Sequence, residues 1–166
     1  MAINIINYTK HKTKTLQYCL RYARPKNVKH ADIVVSNFFF DKKHHMFTGE
    51  IKDVDYSSGW ECDAFTGQWR VYITITDDIK FPTCYYVNPD LKQRYMRGMT
   101  FFNKKEFFVY LMAHELRHLE QELIKPKNYI GAGLPGNDYE SDADFYAIHC
   151  LNRYRRLTKF KGCPSK

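Results

Sequence analysis

The sequence predicts an α+β fold in which a small twisted sheet packs against two long helices. Three observations predict it. Roughly the first hundred residues carry short apolar, β-branched runs separated by turn residues, the best of them alternating over residues 69–76. At Asn103 the hydrophobic period changes from that of a strand to that of a helix and stays helical to residue 124. A second helical run then spans residues 138–156, after a segment rich in glycine and proline at 125–136.

Taken in order, residues 3–8 read as a short strand, and residues 13–23 as a helix that Pro25 stops, because a proline disfavours helical geometry in the residue before it. Residues 33–40, apolar except for Ser36 and Asn37, read as a buried strand, followed by a weaker strand pattern at 45–54. Ser57, Ser58, Gly59 and Gly67 mark residues 55–67 as a long turn or loop. The strand at 69–76 ends at Asp77-Asp78, which favour turn geometry, and a further strand at 84–87 is bracketed by Pro82 and Pro89. Asn103 and Glu106 stand at the spacing of a capping box, so the long helix starts there and runs to about residue 124, before Pro126. On it Phe107, Leu111, His114 and His118 share one stripe, with Lys104, Lys105 and Arg117 on other faces. The second helix is capped by Asn137 or Asp138, and residues 158–166 are expected to fray.

At 166 residues the chain is expected to form a single domain, spanning 1–166, with a full hydrophobic core. No stretch approaches the ~18 consecutive apolar residues of a membrane span, and the first residues lack the basic and apolar regions of a signal peptide. A cytoplasmic location and no membrane partner are therefore expected. Five scattered cysteines without a CxxC pair exclude a disulfide framework and a cysteine zinc knuckle, and read as reduced small hydrophobes. Trp60 and Trp69 read as core residues, and His44-His45, Glu120 and Glu122 as solvated surface. The net charge of +8 and pI near 9.2 favour anionic partners, and nucleic acid bound through the basic surface is one such partner. Basic residues gather at 10–14, 24–29, at Lys92, Arg94 and Arg97, and at 153–161, without any helix-turn-helix, RNP or zinc-finger pattern.

The chemistry concentrates in His114-Glu115-Leu116-Arg117-His118. Residues four apart on a helix sit one above the other, so both imidazoles reach one metal ion, and Glu115 turns its carboxylate toward the ion's open position. Zinc needs a third protein ligand, and the second helix offers Glu140 and His149. Nine residues apart, they project from nearly opposite faces and cannot both bind one ion. Glu140 is favoured: Ala143 and Ala147 beside it permit close helix packing, and Asp144, one turn on, is placed to accept from a ligand histidine's second nitrogen. Bound Zn2+ lowers the pKa of its water to about 7 and polarises a carbonyl, with Glu115 as the base that carries the proton to the leaving amine. Tyr139, Tyr146 and His149 are near enough in sequence to help hold an oxyanion, and the sequence does not choose among them.

His114-Glu115-x-x-His118 followed by Glu140-x-x-x-Asp144 resembles the gluzincin group of zinc metallopeptidases. The segment 140–147 is similar to the ExxADxxA signature of the CAAX-processing and heat-shock peptidases and, more loosely, to the ExxAN helix of ImmA/IrrE-type peptidases. The resemblance covers residues 107–151. It implies a zincin-like fold, Zn2+ held by His114, His118 and Glu140, Glu115 as general base, Asp144 behind His114, and a protein or peptide substrate. It further implies that the strand at 69–76, or its neighbour, binds extended substrate by strand addition. The chain departs from the membrane members in having no transmembrane segment. Two other readings remain at this point: a basic nucleic-acid-associated protein with a structural or vestigial zinc site, and a protease acting on one specific partner. A protease of DNA-bound proteins of the SprT type would use a third histidine, and so His149 in place of Glu140.

Overall fold

A computed structural model describes residues 3–41, 46–50, 56–62, 68–75, 79–85, 99–123 and 137–158. It is a mixed α and β structure. Strand β1 (Asn4–Asn7) leads into helix α1 (Thr13–Ala23) and then strand β2 (Asp32–Ser36). Strands β3 (Phe38–Asp41), β4 (Met46–Glu50), β5 (Tyr56–Cys62), β6 (Trp69–Ile75), β7 (Thr83–Tyr85) and β8 (Met99–Phe101) follow, and helices α2 (Lys104–Leu123) and α3 (Asn137–Leu157) complete the order.

The main sheet runs β1-β2-β6-β5. Three of its strands are parallel, with Ile5 opposite Ile33 and Ile33 opposite Val71, while β5 is antiparallel to β6. Helix α1 makes the first crossover, which a parallel pair requires. Every residue of β2 is buried, as expected for a central strand covered on both faces. Two antiparallel pairs, β3 with β4 and β7 with β8, lie outside this sheet.

Helix α1 turns Leu16, Cys19 and Ala23 into the core, and it ends at Arg24, whose extended backbone is the conformation that Pro25 imposes. The turn before it is held by Asn7, whose side chain donates to the His11 carbonyl at 2.6 Å and accepts from the Thr9 amide at 3.0 Å. Helix α2 is the spine of the molecule. It packs against α1, α3, β5, β6 and β8, so residues from Glu106 to Ala113 are buried on every face. Its start follows the expected capping logic with one change. Asn103 Oδ1 accepts the Glu106 amide at 3.1 Å, but the Glu106 carboxylate reaches back to the amide of Phe102, at 3.0 Å, and not to that of Asn103. Glu106 is fully buried and also binds Arg155 in the last turn of α3, at 2.6 and 3.1 Å, which ties the two helix ends together. One continuous cluster runs from Leu16 through Ile33, Ile73, Phe107 and Leu116 to Tyr154.

Two expectations are corrected, and one strand was not expected. Residues 56–62 are strand β5 and not a loop: Ser57, Ser58 and Gly59 pair with Thr74, Ile73 and Tyr72 of β6, whose β-branched register supplies the drive that these small residues lack on their own. The run at 33–40 is divided at Asn37 into β2 and β3, which join different sheets. Strand β8, which carries no alternation of its own in three residues, forms by pairing with β7. The expected features at His44-His45, Asp77-Asp78, 125–136 and 159–166 lie outside the described residues, as do the side chains of Trp60, Cys62 and Cys84. Trp69 packs partly buried against the core, and Cys19 and Cys150 are buried free thiols. Among the described residues, no helix is long and apolar enough to cross a membrane.

Candidate metal centre

Helices α2 and α3 run antiparallel, because Glu106 meets Arg155 at one end and Gln121 meets Tyr139 at the other. Ala143 and Ala147 are fully buried on α3, and their small side chains let the two helices approach closely. His114 and His118, one turn apart on α2, therefore face Glu140 in the first turn of α3. The two Nε2 atoms lie 3.1 Å apart, and each is 3.3 Å from one oxygen of Glu140. The three donor groups form one cluster in which all ligand atoms fall within 4.8 Å of one another.

A group with these spacings could hold a metal ion. Four ligands arranged tetrahedrally at about 2.0–2.1 Å from zinc stand about 3.3 Å from each other. Two imidazole nitrogens held at 3.1 Å need something positive between them, a shared proton or a cation. Two His and one Glu are a donor set suited to zinc. Glu115, buried, has its Oε1 4.0 Å from His114 Nε2, beside the cluster and outside its donor triangle.

Each histidine is oriented from behind. His114 Nδ1 lies 2.8 Å from Asp144 Oδ1, a close but bent charge contact. The buried Tyr110 hydroxyl donates to the same oxygen at 2.6 Å and fixes that carboxylate. His118 Nδ1 faces Gln121 Oε1 at 2.9 Å. Gln121 in turn donates to the Tyr139 carbonyl at 3.0 Å and to Asp142 at 2.8 Å. Asp142 also receives Arg117, which bridges to Glu120, and Glu120 accepts from the backbone and side chain of Asn27. A polar chain thus runs from His118 to the segment after α1.

The charges respond to this crowding. Burial opposes the charged form of the His114 imidazole, but Asp144 and Glu140, with Glu115 near, outweigh it and hold its pKa up at about 10. In His118 burial is likewise outweighed by Glu140, and its pKa is raised. His114 and then His118 hold the Glu140 carboxyl well below the usual carboxylate range.

His114, His118, Glu140, Glu115 and Asp144, picked out in the sequence, all meet in this one place. His149 does not join them. It is exposed, and five residues beyond Asp144 it lies about 140° round the helix. Tyr146 is turned away as well, beneath the Arg117 guanidinium at 5.5 Å. Two of the residues considered for holding an oxyanion are thereby removed. Arg117, expected off the histidine stripe, reaches Asp142 on α3, and Glu120 is buried where a solvated charge was expected. Sequence reasoning passed over Tyr110 and Gln121. Their signal was present: Tyr110 is four residues before His114 and Gln121 three after His118, each on the face of the histidine it serves. Comparisons with protein-family models, curated protein sequences and solved structures found no match to this chain.

Proposed function

We propose that this protein is a zinc-dependent metallopeptidase of the gluzincin type, acting on a protein or peptide. The observation that carries the reading is the donor triangle of His114, His118 and Glu140, with edges of 3.1 and 3.3 Å, beside a buried carboxylate that is not part of it. Zinc held there would supply Lewis-acid polarisation of a carbonyl and would acidify a water molecule. The side chains of the protein do the rest. Glu115 accepts a proton from water and returns it to the leaving amine, the general acid–base role that its position next to His114 suits. Asp144 and Gln121 keep the two Nδ1–H groups engaged, so that both Nε2 lone pairs point into the triangle.

A structural zinc is closed by four protein ligands, whereas among the described residues this cluster offers three, and the Glu140 side chain is 46% exposed. A three-ligand set of this kind favours a catalytic role over a structural or vestigial one. Extended substrate needs a free strand edge. Strand β6 has β2 and β5 on its two sides and offers none, so the role passes to its neighbour β5, which ends the sheet and packs near α2.

The test is Glu115→Gln. The variant is expected to bind one zinc per chain, to melt within a few degrees of the parent, and to lose hydrolysis of a denatured casein substrate by at least about 100-fold. Full turnover in the variant, or none in the zinc-loaded parent with or without chelator, would falsify the assignment.

A further inference from the structure

All 18 acidic residues lie between Asp32 and Asp144, so the first 31 residues and the last 22 contain none. The fold brings parts of these two segments together. Helix α1 packs against α2 and α3, and the last turns of α3 lie beside the start of α2, where residues 99–105 are also free of carboxylates. Among the described residues, the carboxylate at this end is Glu106, which is fully buried and bound to Arg155. Three acid-free stretches, far apart in sequence, therefore share one face.

That face is basic and contoured. Helix α1 exposes Lys14, Gln17 and Arg21 along its outer side, and Lys105 and Arg153 are exposed on the neighbouring helices. Beside α1 lies a cleft of about 520 Å³ walled by Tyr18, Lys104, Lys105, Tyr154 and Thr158. Tyr18, Tyr22 and Tyr154 form a cluster of edge-to-face rings, with centroids 5.1 to 6.3 Å apart. A second cleft of about 420 Å³ is lined by Gln17, Arg21, Arg24 and Lys26. Arg21 and Arg153 both bear electrostatically on the Tyr22 phenol.

The geometry points to a binding surface for single-stranded nucleic acid, with the backbone along α1 and a base against the Tyr18 cleft. Lysines and arginines drawn from sequence stretches that contain no carboxylate meet phosphates, and the half-buried Tyr18 ring gives a base a stacking wall. A lipid surface fits less well. An interfacial helix carries an apolar side into the bilayer, but α1 has already turned Leu16, Cys19 and Ala23 into the core. An acidic protein surface would use the charges and leave the aromatic cleft unexplained. The surface is independent of the metal centre: Lys105 precedes His114 by nine residues, about 13 Å along α2.

The experiment is fluorescence anisotropy with a labelled single-stranded oligothymidine, titrated between about 50 and 200 mM salt. The parent is expected to bind, with affinity falling steeply as salt rises. The triple variant Lys14→Glu, Arg21→Glu, Lys105→Glu is expected to weaken binding at least about 10-fold and to flatten the logarithmic salt slope by about 2, the loss of three phosphate contacts on a single strand. Its zinc content and melting temperature serve as controls and are expected to match the parent. Tyr18→Ala, checked in the same way, is expected to weaken binding without changing the slope. The proposal is overturned if the parent fails to bind at low salt, if the charge-reversed variant binds as the parent does, if a duplex is preferred to the single strand, or if vesicles rich in phosphatidylserine are bound and the oligonucleotide is not.

Discussion

Gln121 Oε1 faces His118 Nδ1 at 2.9 Å, while the nitrogen of the same amide donates to Asp142 and to the Tyr139 carbonyl. Those two partners accept only, so the amide cannot be turned round, and His118 Nδ1 must carry the proton. Once the ring gives up its other proton, the lone pair is on Nε2, facing Glu140. The two histidines are thus held by different chemistry, His114 by an anion and His118 by a neutral amide that α3 has oriented. Gln121→Leu removes the acceptor and is expected to weaken zinc binding about 10- to 100-fold. Gln121→Glu places a carboxylate next to Asp142 and is expected to cost stability as well. Competition with a chromophoric chelator measures the first effect, and an unchanged affinity in Gln121→Leu would show that His118 needs no such support.

Glu140 and His149 separate cleanly in the structure, one in the donor triangle and the other exposed on a different face of α3. Glu140→Ala is therefore expected to lose most zinc affinity, whereas His149→Ala is expected to retain it within about two-fold, as for a surface substitution away from the site. Metal content after dialysis reads both. Loss of metal in His149→Ala with retention in Glu140→Ala would reverse the choice of third ligand.

How much of this was legible in the sequence depends on where the information lies. The helices could be read because their signals are local: Pro25 after α1, the Asn103 and Glu106 pair before α2, and an apolar period sustained over 20 residues. The site could be read because its residues lie one or two turns apart on those helices. Strand β5 could not, since Ser57, Ser58 and Gly59 become a strand only by pairing with β6. The roles of Glu106, Arg117 and Glu120 were hidden for a related reason. A charged residue on a helix reads as solvated until a partner from another element, here Arg155, Asp142 and Asn27, is known to meet it.

The pair of Glu106 and Arg155 makes that point quantitative. Glu106 is fully buried and receives Arg155 and the Phe102 amide, while the guanidinium also donates to the Thr100 carbonyl at 2.7 Å. Arg155→Met leaves a buried carboxylate without its cation, which is expected to destabilise the fold by about 3 kcal/mol. Adding Glu106→Gln removes the stranded charge and is expected to restore part of that loss, because a neutral pair avoids the desolvation penalty. Urea unfolding of the two variants measures the difference. Equal stabilities for the single and double variants would mean that the carboxylate is not ionised in the fold.

The cluster of His114, His118 and Glu140 is expected to make stability depend on pH, with opposite signs in the metal-free protein and in protein loaded with zinc. Without metal, His114 is raised from its ordinary value of 6.5 to about 10, so the folded state holds its proton more tightly than the unfolded chain. That contribution is fully present below pH 6.5 and is lost as the pH climbs toward 10. Glu140 is depressed, and its contribution is present above 4.5 and lost as the pH falls. The metal-free cluster is therefore expected to stabilise most between pH 4.5 and 6.5, with melting temperature declining from there to pH 10. Zinc must displace the protons from both imidazoles, so its stabilising effect is expected to grow over the same range in which the metal-free protein weakens. Melting curves at a series of pH values, with chelator and with excess zinc, test both signs together. Parallel curves would show that the imidazoles and the metal do not compete for the same Nε2 atoms. A metal-free curve that stays flat from pH 6.5 to 10 would show that Asp144 and Glu140 do not hold a proton on His114.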